Sequence, residues 1–209
     1  MTQAARTYGG RTAEERQTER RERLIEAATE IWGSQGWAAV TMRGVCAKAG
    51  LIDRYFYESF ADRDALLVTV WDAVQAESLM VLASAFTDAA DAPVTTQVRA
   101  GITALVQTMS ADPIRANIAL GDHAGSAVLQ SRRREVVLMI GDLILGLWRP
   151  YARPDVTDDQ MRMWAVAGIG GVYELIAAWH DGAVQASADE LIEQASQLGA
   201  VLVGHFLPA

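Results

Sequence analysis

The stretch TMRGVCAKAGLIDRYFYESF, Thr41 to Phe60, constrains this chain more than any other, because it reads as two short helices meeting at a tight turn. Thr41 is a good N-cap. Met42, Val45, Cys46 and Ala49 share one helical face by their three- and four-residue spacing, while Arg43 and Lys48 point elsewhere. Gly50 ends the first helix, since only glycine takes the left-handed backbone there without strain, and a second helix is expected over Asp53 to Ser59. Phe56 and Phe60, one turn apart, anchor that helix onto a core and leave Arg54, Tyr55, Tyr57, Glu58 and Ser59 on or near its outer surface. Such a surface suits two structures. One is an ordinary helical hairpin; the other is a reading helix sized for a DNA major groove about 12 Å wide, where Arg pairs with guanine and hydroxyls meet phosphate.

Helical punctuation continues on both sides. Thr12 with Glu15 forms a candidate capping box for a first helix that begins near Thr12 to Thr18 and that Gly36 ends, with Leu24, Ile25, Ala28, Ile31 and Trp32 as its apolar stripe. Asp62 is expected to cap a long fourth helix running to about Phe86, followed by a linker, Thr87 to Val94, that contains Pro93. Further helices are expected over about 95–110, 113–121, 129–151, 158–181 and 188–206, separated by Asp112-Pro113, Gly121 to Ser126, Pro150, Pro154 and Asp181-Gly182. No segment reads as strand and none repeats, so the expected fold is all-α. Residues 1–13 lack periodicity and are expected to be a mobile arm, in which Arg6 and Arg11 serve either a minor groove or simple solvation.

The run from Arg23 to Leu67 resembles the DNA-binding domain of tetracycline-repressor-like (TetR) transcriptional regulators. Four pieces stand in register: Gln35, Gly36 and Trp37 closing the first helix; Thr41 to Gly50; a short helix ending in Tyr57 to Phe60; and Arg63 ahead of the pair Leu66 and Leu67. Three positions depart from the pattern. Ile52 stands where a small hydroxyl residue is usual, acidic Asp53 where a basic one is, and Ser59 where histidine is frequent. Asp53 is expected to act as N-cap in compensation. The resemblance implies a three-helix helix-turn-helix domain over residues 14–63 and a larger helical effector-binding and dimerisation domain over 64–209. It implies a DNA surface of Thr41, Arg43, Lys48, Arg54, Tyr55, Tyr57, Ser59 and Arg63, with Arg54 and Tyr55 leading the base contacts and Tyr57 and Arg63 at phosphate positions.

Charge is distributed to match. The formal net charge is −8, yet residues 1–63 hold 10 Lys+Arg against 9 Asp+Glu and the remainder 8 against 17. The acid lies away from the reading helix, and affinity must come from where the arginines are placed and from two copies acting together. Cys46 is the single cysteine, which excludes an internal disulfide and reads as a small packing residue. No apolar run reaches the ~18 residues of a membrane span, and neither a membrane partner nor a targeting segment is expected, so the chain is assigned to the cytoplasm.

In the C-terminal half, the expected helix 158–181 carries Ala165, Ala167, Gly168, Gly170 and Gly171, and 188–206 carries Ala195, Gly199, Ala200 and Gly204 beside Leu198 and Leu202. Glycine costs ~1 kcal/mol per site in a helix, so this density points to close approach of another helix, within one chain or across a two-fold axis. The resemblance implies the second, a homodimer through Gly168, Gly171, Leu198, Gly199 and Leu202. Met109, Trp148, Trp164 and Tyr173 compose either a plain core or an adaptable apolar pocket; the resemblance implies a pocket for a small apolar effector. The fourth helix would carry the signal, since its first turn lies beside DNA and its far end lies in the acidic half. Adjacent Asp122-His123 and His180-Asp181 do not share a helical face, and no metal-ligand set, nucleophile motif or phosphate-cradling loop is present, so no catalytic residue, metal or cofactor is expected. The reading is a ligand-responsive, homodimeric repressor released from a palindromic operator on double-stranded DNA. The alternatives are a ligand-independent DNA-binding protein and a helical small-molecule-binding protein that no longer reads DNA.

Overall fold

Every regular element among the described residues, 12–208 of a computed structural model, is a helix, and the N-caps set where most of them begin. α1 (Ala13–Gln35) opens on the capping box, with Thr12 Oγ1 accepting from the Glu15 amide at 3.1 Å and Glu15 Oε2 from the Thr12 amide at 2.6 Å. The arm expected over residues 1–13 lies, apart from Thr12 and Ala13 at this helix start, outside the described residues, and Arg6 and Arg11 with it. Gly36, at φ 82°, closes α1. α2 (Met42–Ala49) starts at Thr41 and stops at Gly50, whose φ of 63° and ψ of 37° are the left-handed conformation expected there. α3 (Asp53–Ser59) follows, and Phe56 and Phe60 are buried as its anchors.

α4 (Arg63–Asp88) is capped by Asp62 and runs two residues past its expected end. It is long and apolar enough, by length and composition, to cross a membrane. Leu66, Leu67, Val70, Trp71 and Val74 are nevertheless buried against protein, as in a core helix. α5 (Val94–Ala111), α6 (Pro113–Leu120), α7 (Ala127–Trp148), α8 (Asp158–His180) and α9 (Ala188–Gly204) complete the chain. α7 was expected to reach Tyr151. It stops at Trp148, and Arg149–Tyr151 tighten into a 3-10 turn around Pro150, which lacks the amide a further α-turn needs.

α9 packs on α5 and α8, α7 on α4 and α8, and α4 on α5, which makes a bundle around one core. α6 lies between this bundle and the N-terminal helices, packed chiefly on α1. The approach is close: Asn117 Nδ2 donates to the Gly33 carbonyl at 2.6 Å, and a Cβ on Gly33 would sit 2.8 Å from the Ile114 carbonyl oxygen.

Gly199 serves the same purpose inside the bundle. It is buried where α9 crosses α5, and a Cβ there would meet Val98 Cγ1 at 2.5 Å. A Cβ on Gly168 would meet Leu202 Cδ1 at 3.0 Å, an α8–α9 contact within the same chain. Three of the five residues expected at a dimer interface, Gly168, Gly199 and Leu202, therefore pack within the chain. Only Gly171 and Leu198 lie on the outer surface.

Candidate nucleic-acid interface and ligand cavity

α3 presents its outer face as expected, but most of its polar groups are already engaged. Arg54 is engaged yet open: its side chain is 79% exposed, with Nε 2.8 Å from Glu58 Oε1 one turn on. Glu58 also lies 3.5 Å from Arg20 Nη2, and the Arg20 guanidinium rests 4.3 Å over the Tyr55 ring. Tyr55 is thus half-buried beneath α1. Tyr57 is 61% exposed and packs edge-on against Phe56, so its hydroxyl is carried outward. Ser59 turns its hydroxyl back to the Tyr55 carbonyl at 3.1 Å.

On α2, Thr41 caps the helix through the Gly44 amide at 3.1 Å, Arg43 is exposed, and Lys48 Nζ pairs with Glu30 at 2.6 Å. Arg23 donates to the Ala49 carbonyl and clamps the end of α2 to α1. Cys46 is buried in this crossing; burial, with Asp53 second, raises its thiol pKa, so the group stays protonated and packs.

Two positions differ from their expected roles. Asp53 does not cap α3. Ile52 holds the N-cap position with no side-chain hydrogen bond, its carbonyl accepts from the Tyr55 amide at 3.0 Å, and its own side chain is 62% exposed. Arg63, expected at phosphate, donates through Nε to the Val40 carbonyl and through Nη2 to the Trp37 carbonyl at 2.6 Å, with its guanidinium 5.2 Å from the Trp37 ring centre. It pins the α1–α2 connection to the start of α4.

Behind the N-terminal helices is a cavity of about 190 Å³, lined from α4, α5, α7, α8 and α9 and closed at one side by Ala119 and Leu120 of α6. All four expected pocket residues, Met109, Trp148, Trp164 and Tyr173, line it. Trp148 donates to Gln97 Oε1 at 2.8 Å, and Gln97 in turn holds the Ala90 and Ala92 carbonyls of the α4–α5 linker. Trp164 stacks on His205, 4.3 Å between ring centres. Tyr173 donates to the Ala119 carbonyl at 2.6 Å, and its burial pushes the phenol pKa up to about 12, so it remains a neutral donor.

Sequence reasoning passed over Arg133 and Trp71 as lining residues. Arg133 falls on the stripe that Val136, Val137, Ile140 and Ile144 continue along α7, so helical phase alone places it on the cavity side. Trp71 also touches His123, 4.7 Å between ring centres, and His123 is edge-on to Trp32 of α1 at 5.9 Å. That imidazole is buried, with Nε2 3.1 Å from the Ile118 carbonyl oxygen. Burial is the main reason its pKa is lowered; Arg133 adds to this, while the Ile118 bond and Asp122 oppose it. Among the described residues no His, Cys, Asp and Glu cluster of metal-binding kind occurs.

Residues 24–70 match the family model of bacterial regulatory proteins, tetR family. No curated protein matches the sequence. Solved structures do. A transcriptional regulator from a Rhodococcus species superposes with a TM-score of 0.72 at 15% identity, over 90% of this chain and 98% of that one. The fatty acid degradation regulator FadR of Bacillus halodurans gives 0.69 at 16%, over 86% and 93%. A TetR family transcription regulator from Marinobacter aquaeolei gives 0.63 at 14%, over 94% and 100%. At such identities the likeness is one of fold.

Proposed function

From a tetR-family N-terminal module carried on the all-helical TetR-family fold, we propose that the chain is a one-component transcriptional repressor, homodimeric on a palindromic operator and released from it by a small apolar molecule in the cytoplasm. One observation carries the reading. α6 forms part of the cavity wall through Ala119 and Leu120 and is also locked to α1 through Gly33 and Asn117. A molecule that displaces Tyr173 or Leu120 must move α6, and α6 cannot move without α1. This is a shorter route to the reading helix than a tilt of α4 along its whole length, and α4 joins it where Trp71 meets His123.

On this reading Arg54 and Tyr57 face the groove, with Thr41 and Arg43 at the flanking backbone. Dimerisation falls to the outer face of α8 and α9, where Met163 and Val201 are 64% and 63% exposed beside Ala167, Gly171 and Leu198. A ligand shifts operator affinity only by its differential affinity for the two states. The deciding experiment is a gel-shift titration on DNA flanking the chain's own gene, with and without apolar compounds that quench its indole fluorescence. Retardation relieved by such a compound supports the proposal. Retardation that no bound compound relieves favours a ligand-independent DNA binder, and compound binding without retardation favours a helical small-molecule-binding protein.

A further inference from the structure

The cavity has two chemically different ends. α4 and α7 run side by side along it: Asp72 pairs with Arg132 at 2.6 Å near one end, and Phe86 packs on Trp148, 6.0 Å between ring centres, near the other. The stretch of α4 between these points, Trp71 to Phe86, is ~22 Å long at about 1.5 Å per residue. The far end is aromatic, since Trp148 also stacks on Phe206 at 6.4 Å. The Trp148 Nε1 there is taken by Gln97.

The near end holds a charged donor and an unpaired one. Among the described residues, Arg133 is the one charged side chain lining the cavity. It lies 4.0 Å over the Tyr173 ring and pairs with Glu174, which is itself exposed. Trp71, fully buried and part of the same wall, has an indole Nε1 without a hydrogen-bond partner. An unpaired buried donor is costly, and a ligand acceptor placed there relieves it. Tyr173 and Ser78, also in the lining, already donate to the Ala119 and Val74 carbonyls.

We infer that the cavity takes an elongated, anionic amphiphile, a long-chain carboxylate, whose head group replaces Glu174 on Arg133 and accepts from Trp71, and whose alkyl tail lies along Leu82, Ile140 and Ile144 toward Phe86 and Trp148. The inference deepens the effector reading and rests on it only for the consequence at DNA. Cationic amphiphiles are excluded by Arg133, with no acid among the described lining residues to receive them. Neutral ones gain the tail contacts but leave the guanidinium without exchange for its carboxylate.

The test is indole fluorescence quenching of the full chain, without DNA, by sodium dodecanoate, dodecanol and dodecylammonium below their micellar concentrations. Dodecanoate should bind at least tenfold more tightly than dodecanol, and dodecylammonium least. Arg133→Gln should reduce dodecanoate to the level of dodecanol and leave dodecanol unchanged, and Trp71→Phe should weaken the carboxylate alone. Lengthening the chain from octanoate should tighten binding roughly fourfold per methylene until the tail meets the aromatic end. Equal binding of dodecanoate and dodecanol, or an Arg133→Gln variant that weakens both alike, overturns the inference. A separate gel-shift arm tells the two readings apart: dodecanoate that binds with these preferences yet leaves operator retardation unchanged upholds the ligand class and removes the regulatory role.

Discussion

Gly33→Ala places a methyl group where α6 already lies. The added Cβ would overlap Ile114 Cγ2 and sit 2.8 Å from the Ile114 carbonyl oxygen and 3.0 Å from its Cα. The Cγ2 can rotate away, because Ile114 is part-exposed, but the backbone oxygen and Cα cannot. Two effects compete. Alanine is worth ~1 kcal/mol over glycine inside a helix, whereas overpacking a tight contact costs ~1–3 kcal/mol. The Asn117 bond to the Gly33 carbonyl, stretched as the helices part, adds about 1 kcal/mol to the loss. The balance is a destabilisation of about 1–3 kcal/mol, a fall in Tm of roughly 2–12 °C for a chain of this size.

The assay is thermal unfolding at fixed protein concentration, with Gly146→Ala as the control. Nothing lies within 4 Å of a Cβ at Gly146 on α7, so that variant keeps the helix gain and should melt slightly above the parent. A Gly33→Ala protein as stable as Gly146→Ala would show that α1 and α6 are not in contact as described, and the route from cavity to reading helix would fall with it.

Three further outcomes follow from the site. Arg63→Ala should destabilise the N-terminal helices by about 1.5–3 kcal/mol, because charged hydrogen bonds to Trp37 and Val40 are lost, and urea unfolding without DNA should detect it. His123 lowers stability as pH falls: burial holds its folded pKa below the ordinary 6.5, so the unfolded chain takes the proton first. The stability it contributes is complete above pH 6.5 and drains as pH drops toward the folded value, at most about 1.4 kcal/mol per pH unit, and His123→Phe should flatten that slope in chemical denaturation series. Met163→Arg with Val201→Arg should leave the fold intact, since both side chains are exposed, and sediment as monomer if the outer α8–α9 face pairs two copies.

Helix boundaries were legible because their signals are local. Thr12 with Glu15, Thr41, Gly50 and Asp62 each act within one turn, and each acts in the structure where the residue pattern places it. Asp53 was misread by a single position. Gly50 and Leu51 donate back to α2, at Ala47 and Cys46, so the turn is complete by Leu51 and the Ile52 carbonyl already accepts the first bond of α3. The small-residue helices were legible as close packers but not as to partner. Gly199 and Gly171 look alike in sequence; what separates them is that α5 lies tightly over one, while the other is exposed at the edge of Leu198, a long-range fact no local pattern contains. Arg133 was legible by phase alone, whereas the orphan indole of Trp71 was not, since it depends on what surrounds the ring.

The distribution of charge around α3 bears on how such a helix would discriminate. Glu58 holds Arg54 and Arg20 at once, Glu30 holds Lys48, and the Arg23 and Arg63 guanidinium groups are committed to carbonyls. On the proposed reading, binding DNA would be an exchange, in which Arg54 leaves Glu58 for a base edge while Glu58 stays close to the phosphates. Exposed pairs of this kind are worth about 0–1 kcal/mol, so a bidentate guanine contact worth about 1–3 kcal/mol outweighs the loss, but a lone phosphate contact scarcely does. Glu58 would thus weaken attachment to arbitrary DNA more than attachment to the right sequence. In the proposed two-fold assembly the same selection would act at both half-sites, and a chain with a net charge of −8 would trade general affinity for specificity.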